Sequence, residues 1–240
     1  MKLKKSLKII TGLVVFFTLP TLLFLGYIYF KYSEDVPIGI EGEAADALAD
    51  KMLDVLDYEA YRKTEYIEWT YQNKRRYEWD KINNICTVRW KEFKVDLHLN
   101  FPERSKAYVH SFSIIGEQRD ELVTTALNYF NNDSFWLIAP YKVFDSGVDR
   151  SIVKTKNGND ALLVTYNTGG TTPGDSYLWI LDDNSKPVKF KMWVESLPIG
   201  GLEASWTDWK TADSGAKLPT FHELLFICHN VHILFNKTII

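Results

Sequence analysis

An uncharged run from Ile9 to Phe30 divides this chain into two parts that fold in different solvents. A helix over those twenty-two residues rises about 1.5 Å per residue and is roughly 33 Å long, enough to cross a hydrocarbon core. Lipid offers no partners to backbone N–H and C=O groups, so a crossing segment of this kind must be helical. Pro20 in its middle is tolerated in a membrane helix and is a place for a kink. Lys2, Lys4, Lys5 and Lys8 precede the run, and the positive-inside rule then keeps the N-terminus cytoplasmic. Tyr27, Tyr29 and Tyr32, with Lys31 beside them, have the make-up of an interfacial belt at the far side.

The alternative is a cleaved secretory signal, which has a shorter apolar core and small residues before its cleavage point. Here the run ends Leu25-Gly26-Tyr27-Ile28-Tyr29-Phe30, with bulky residues where small ones belong. No Cys follows directly, which excludes an N-terminus lipidated on cysteine. The expected organisation is a basic tip and signal anchor over residues 1–31, a linker over 32–42 with Pro37, Gly39 and Gly42, and one domain over 43–240. The expected location is a bacterial inner membrane, crossed once, with the C-terminal domain in the periplasm.

A body of about 200 residues suits a single β-rich unit with a sizeable core. Net charge is −3 and there is no basic stripe, which argues against a nucleic-acid partner. Eight Trp and an aromatic content of 15% suit strands and apolar interiors. Cys86 and Cys228 are the two cysteines; an oxidising compartment permits their pairing, and a buried thiol is the other reading of each.

Glu43 to Tyr61 follows helical spacing, with Ala44, Leu48, Met52, Leu53, Val55 and Leu56 as its apolar stripe. The period then changes. Thr64–Tyr71, Arg75–Ile82, Ile85–Lys91 and Phe93–Asn100 read as four short strands, and their tight spacing predicts an antiparallel meander. In the last of them Phe93, Val95, Leu97 and Leu99 alternate with Lys94, Asp96, His98 and Asn100, the pattern of a sheet with one wet face. Gly116 to Asn132 returns to helix, and an apolar segment, Phe135 to Pro140, follows it. Ile152–Thr155, Ala161–Tyr166, Ser176–Leu181, Val188–Val194, Gly201–Trp209 and Phe221–Phe235 read as six more strands. The fold class expected is α+β: a curved antiparallel sheet of about ten strands, an incomplete barrel, covered by two or three helices.

Candidate chemistry is sparse. His229 and His232 have the spacing of a ligand pair on a helix, but in a strand they point to opposite faces. His222 and Cys228 share a strand face and lie about 20 Å apart at strand rise. Asp96 and His98 share a face that reads as solvated. The glycine-rich stretch Asn167 to Gly174 lacks the Lys-Ser/Thr of a phosphate cradle and reads as a hairpin loop. No Gly-x-Ser-x-Gly elbow occurs. The expectation is therefore a non-catalytic protein without cofactor or metal. The strongest constellation is aromatic: Trp69, Trp90, Trp136, Trp179, Trp193 and Trp206 are candidates to line an apolar ligand cavity, against the plainer reading of a packed β core.

Three segments carry a family resemblance: Phe135-Trp136 through Pro140, Tyr141, Lys142, Asp145 and Gly147; Ala161 to Tyr166 on through Thr172-Pro173-Gly174-Asp175-Ser176-Tyr177-Leu178-Trp179; and Met192-Trp193 with Leu197-Pro198-Ile199-Gly200-Gly201-Leu202, Ser205-Trp206 and Trp209. Over roughly residues 43 to 220 the chain resembles envelope proteins of the outer-membrane lipoprotein-sorting (LolA/LolB-like) type. The resemblance implies an incomplete β-barrel closed by helices, whose apolar interior holds acyl chains. The family's carrier is soluble and its receptor is lipidated on Cys; a retained anchor departs from both, so the shuttling role does not transfer. The leading expectation is a membrane-anchored envelope protein whose cavity binds lipid or lipoprotein acyl chains. The alternative is a structural or sensory domain that meets another envelope protein and holds no lipid.

Overall fold

A computed structural model describes residues 2–168, 172–226 and 229–239, with side chains described at residue 4 and, within those stretches, from 7 to 224. The apolar run lies in one helix, α1 (Lys2–Tyr32), whose stretch Leu7–Tyr32 is long and apolar enough to span a membrane. Pro20 sits inside it.

The body is α+β and its sheet is antiparallel throughout. A short strand, β1 (Ile40–Glu41), leads into α2 (Glu43–Leu56), whose Ala45, Ala49, Met52, Leu53 and Leu56 are buried. The single helix expected over 43–61 is broken. Asp57 takes a left-handed conformation (φ 57°), and its carboxylate accepts from the Ala60 N–H at 3.1 Å, capping α3 (Tyr58–Lys63). The meander follows as read: β2 (Tyr66–Tyr71), β3 (Arg75–Asp80), β4 (Ile85–Trp90) and β5 (Phe93–His98) pair in sequence. Two short strands continue it, β6 (Lys106–Val109) and β7 (Phe112–Ile114).

The second helix is longer than its sequence suggested. α4 (Glu117–Ile138) runs through the apolar segment and ends in a 3-10 turn, Ala139–Lys142, where Pro140 stops it. Then come β8 (Val148–Lys154), β9 (Asp160–Tyr166), β10 (Ser176–Leu181), β11 (Pro187–Trp193), β12 (Leu202–Ser205), β13 (Thr207–Thr211), β14 (Lys217–Phe226) and β15 (His229–Ile239). The strand expected over Phe221–Phe235 is thus two paired strands, and the one over Gly201–Trp209 is two with Trp206 between them. The described residues form fifteen strands, not about ten.

β1 and β8–β14 make an eight-stranded half, β2–β7 a six-stranded half, and β15 pairs with β14 on one side and β2 on the other. No pairing joins β1 to β7, so the sheet is not closed into a barrel. The two halves share one cover. Phe130 of α4 packs against Trp69 and Trp79 in one half, and Trp136, six residues on, packs against Phe190 in the other. A sheet that touches two flanks of one helix has to bend around it.

Residues 32–42, expected as a linker, meet the sheet at Ser33, Glu34, Gly39 and Ile40–Glu41. Lys191, Leu178, Leu163 and Ser151 are successive cross-strand partners from β11 to β8. Glu34 pairs with Lys191 at 2.5 Å, and its backbone oxygen accepts from Trp193 Nε1 at 2.7 Å. Gly39 lies so close to Ser151 that a Cβ there would sit 2.6 Å from the serine Cβ. Four strands at about 4.8 Å spacing need roughly 14 Å, and Glu34 to Gly39 extends to about 17 Å. The segment therefore straps the outer face, over the row that holds Leu163 and Leu178. Those two, with Val153 and Ala161, form a buried cluster separate from the main core. β1 then turns the edge by pairing with β8, and α2 packs beneath.

Candidate functional site

Strand alternation sends one side chain in two to the inner face, and there the sequence has placed its largest residues. In the six-stranded half Trp69 stacks on Tyr77 with ring centroids 4.5 Å apart, and Trp79 meets Phe130 edge-on at 5.3 Å. Trp90 lies against Phe93 and Tyr129. In the eight-stranded half Trp206 is 5.0 Å from Phe190 and 5.9 Å from Trp179, and Phe135 of α4 is 4.4 Å from Tyr177. Trp136 fills the space between Phe190 and His222.

The structure therefore brings Trp69, Trp90, Trp136, Trp179 and Trp206 into one apolar interior around α4. Trp193 stands apart on the outer face, packed on the second cluster. It also borders a surface depression of about 370 Å³ lined by Pro173, Gly174, Asp175, Val194, Glu195 and Gly200. None of the other five tryptophans lines that depression.

Four of the interior indoles have a feature that packing alone does not explain. Among the described residues, the Nε1–H groups of Trp69, Trp79, Trp179 and Trp206 are buried and find no acceptor. Each such orphan costs about 1–3 kcal/mol relative to a satisfied donor.

The polar groups that are satisfied inside are arranged tightly. Asp133 of α4 is fully buried and accepts from Arg75 Nε at 2.5 Å, Arg75 Nη2 at 3.0 Å, the Tyr77 hydroxyl at 2.5 Å and Asn132 Nδ2 at 2.9 Å. The Arg75 guanidinium lies between the rings of Tyr71 and Tyr129, 4.8 and 4.5 Å from their centroids. Burial and the neighbouring Asp133 carboxylate push the Tyr77 phenol far up, so it donates as a neutral hydroxyl. Burial pulls the Arg75 guanidinium down, but its bonds to Asp133 outweigh that and it stays charged. Sequence reasoning missed this group because it ended the helix at Asn132. The available signal was an acid three residues after Phe130 on an apolar helix face.

His222 is buried with its Nδ1 2.9 Å from the Ser205 carbonyl oxygen. Burial lowers it to about 4, against the hydrogen bonds it donates to the backbone of Ser205 and Trp136, so the ring is neutral. Asp96 is engaged by Thr87 and Lys94, while the His98 ring packs edge-on to Phe101, so the two do not act as a pair. Cys86 is buried, and burial raises its thiol. Cys228 and its pairing with Cys86 lie outside the described residues, as do Gly169 to Thr171 of the glycine-rich loop and the side chains of His229 and His232. The strands flanking that loop, β9 and β10, pair antiparallel. Among the described residues no group of three or more His, Cys, Asp or Glu is placed to hold a metal ion.

No family model matches the chain, and neither the curated proteins nor the solved structures give a match.

Proposed function

We propose that this chain is a membrane-anchored, non-catalytic binding protein whose sheet interior takes an acyl chain of a lipid or lipoprotein. The anchor is α1, with the N-terminus cytoplasmic and the body on the periplasmic side of a bacterial inner membrane. The observation that carries the reading is the set of four buried indole N–H groups without acceptors among the described residues, on an inner face walled mostly by apolar side chains. Apolar walls with a few convergent polar groups are what a lipid site needs, because the chain wants burial and the ester or acid oxygens want donors. The open sheet gives a route: α4 covers the interior, and no ladder hydrogen bond between β1 and β7 has to break for it to move. The resemblance to lipoprotein-sorting proteins points the same way.

Native mass spectrometry of the full chain released from detergent micelles tests this. The expected spectrum carries one retained lipid per protein, at lower occupancy in Trp206→Phe. A spectrum of bare protein, with no adduct after incubation with phospholipid, overturns the reading.

A second reading, a protein-interaction domain without lipid, is favoured by one observation. β7 is an edge strand, and Phe112 within it and Ile115 just after it are 76% and 86% exposed. Cross-linking in cells separates the two: this reading predicts one protein partner at β7 and no bound lipid.

A further inference from the structure

We infer that the body is seated on the bilayer, not hung from it, and that the loop over residues 195–201 is its lipid-contacting surface. The inference rests on the anchor reading above. Ile28 is the one buried residue of the apolar run, 6% exposed, and it belongs to the same buried cluster as Ile199. It precedes Phe30, the end of the run, by two residues, or about 3 Å of helix rise. The same loop holds the chain just beyond the helix. The Gly200 N–H donates to Ser33 Oγ at 3.2 Å, and the Glu34 N–H donates to the Gly200 carbonyl at 3.0 Å. Ser33 lies three residues past Phe30, about 4.5 Å along the same axis.

The polar layer on each side of a hydrocarbon core is roughly 5–8 Å deep. A loop bonded to the chain at Ser33 and Glu34, directly past the end of α1, lies within that layer. Its composition fits the position. Ser196 to Leu202 carries no charge, and Leu197 and Pro198 are exposed. Trp193, a residue type suited to the interface, sits beside the loop with its N–H on Glu34. The occupant is the phospholipid surface that α1 itself crosses, because the exposed loop is hydrogen-bonded to the chain where it leaves that helix, at Ser33 and Glu34. The strap from Glu34 to Gly39 adds contacts between the helix end and the outer face of β8–β11, at Lys191, Trp193 and Ser151.

The test uses the full chain in phospholipid nanodiscs, with an environment-sensitive fluorophore on Leu197→Cys in a Cys228→Ser background; Cys86 is buried and stays unlabelled. The control is the same fluorophore on Asp183→Cys in the β10–β11 turn, at the far end of β11, about 20 Å away at strand rise. Lipids with a nitroxide at headgroup depth are expected to quench the probe at 197 at least twofold more than the probe at 183. Adding Trp193→Phe and Glu34→Ala is expected to abolish that difference while the protein stays in carbonate-washed membranes. Equal quenching at 197 and 183 in a chain that resists carbonate overturns the seat and leaves the anchor standing. A chain that carbonate extracts overturns both.

Discussion

Replacing Asp133 with Ala leaves Arg75 charged and Tyr77 with an unanswered hydroxyl inside the sheet. Breaking a buried ion pair by removing one member costs about 3–5 kcal/mol, because the survivor is still desolvated. The orphaned Tyr77 hydroxyl adds about 1–3 kcal/mol. The Arg75 side chain keeps 18% exposure and recovers some water, which brings the total back toward the lower figure. Asp133→Ala is therefore expected to cost about 4 kcal/mol, a large fraction of the 5–15 kcal/mol that holds a domain folded. Urea unfolding of the full chain in micelles, followed by tryptophan fluorescence, reads it. With a slope of about 2–3 kcal/mol per molar, the midpoint should fall by about 1.5–2 M. The triple change Arg75→Met, Tyr77→Phe, Asp133→Leu removes the charges with the donors and should recover most of the loss. A midpoint shift below about 0.3 M for Asp133→Ala would put the pair in the class of surface bridges and refute the argument. A triple variant as unstable as the single one would show that packing, not an uncompensated charge, sets the cost.

Three further outcomes follow from the same geometry. Burial holds His222 at about 4, so the unfolded chain takes up a proton that the fold refuses between pH 6.5 and 4. Stability should fall as pH drops through that window, by up to about 3 kcal/mol relative to His222→Phe, read as urea midpoints at pH 7, 5.5 and 4. A Cβ at Gly200 would lie 2.5 Å from Trp193 Cδ1 and 2.7 Å from the Glu34 carbonyl oxygen. Gly200→Ala should loosen the strap by about 1–3 kcal/mol, seen as roughly tenfold or faster hydrogen exchange at the Glu34 amide. Lys81 is lowered by burial to about 8, with its ammonium on the Tyr61 carbonyl at 2.6 Å and over the Tyr61 ring at 3.8 Å. About half of it is neutral at pH 8, against under 1% for an ordinary lysine, so limiting acetylation at that pH should mark Lys81 first by peptide mapping.

The parts of this fold that could be read from residues are those whose local chemistry agreed with the final structure. The β2–β5 meander was legible because alternation and turn residues coincide: Asn73 and Asn84 take the left-handed conformations their turns require. The β6–β7 hairpin was not, because His110 and Ser111 make its two-residue turn at positive φ with no Asn-Gly to announce it. Asp57 hid the helix break for the same reason, since an acid in a helical stripe looks like a solvated face until it caps the next helix. The aromatic interior was legible as composition, although its tryptophans come from strands, from α4 (Trp136) and from the junction of β12 and β13 (Trp206). Trp193 shares its side of β11 with Lys189 and Lys191, so alternation alone separates it from Phe190 and Met192; only its partner, the strap 159 positions away, is non-local. The polar group at Asp133 depends on β3 meeting α4, which likewise exists only after folding.

If an acyl chain enters the sheet interior at the membrane that holds the protein, bromine on that chain comes within quenching distance of the interior tryptophans. All eight tryptophans lie after residue 68, so α1 adds no background. The full chain carrying Trp193→Phe, which removes the indole nearest the bilayer, is placed in nanodiscs of phospholipid brominated at mid-chain. Entry of one acyl chain predicts strong quenching of the interior tryptophans relative to unbrominated lipid, and weaker quenching when a fatty acid without bromine is added as competitor. Identical tryptophan emission in the two lipids would contradict the account and leave the interior as an ordinary packed core.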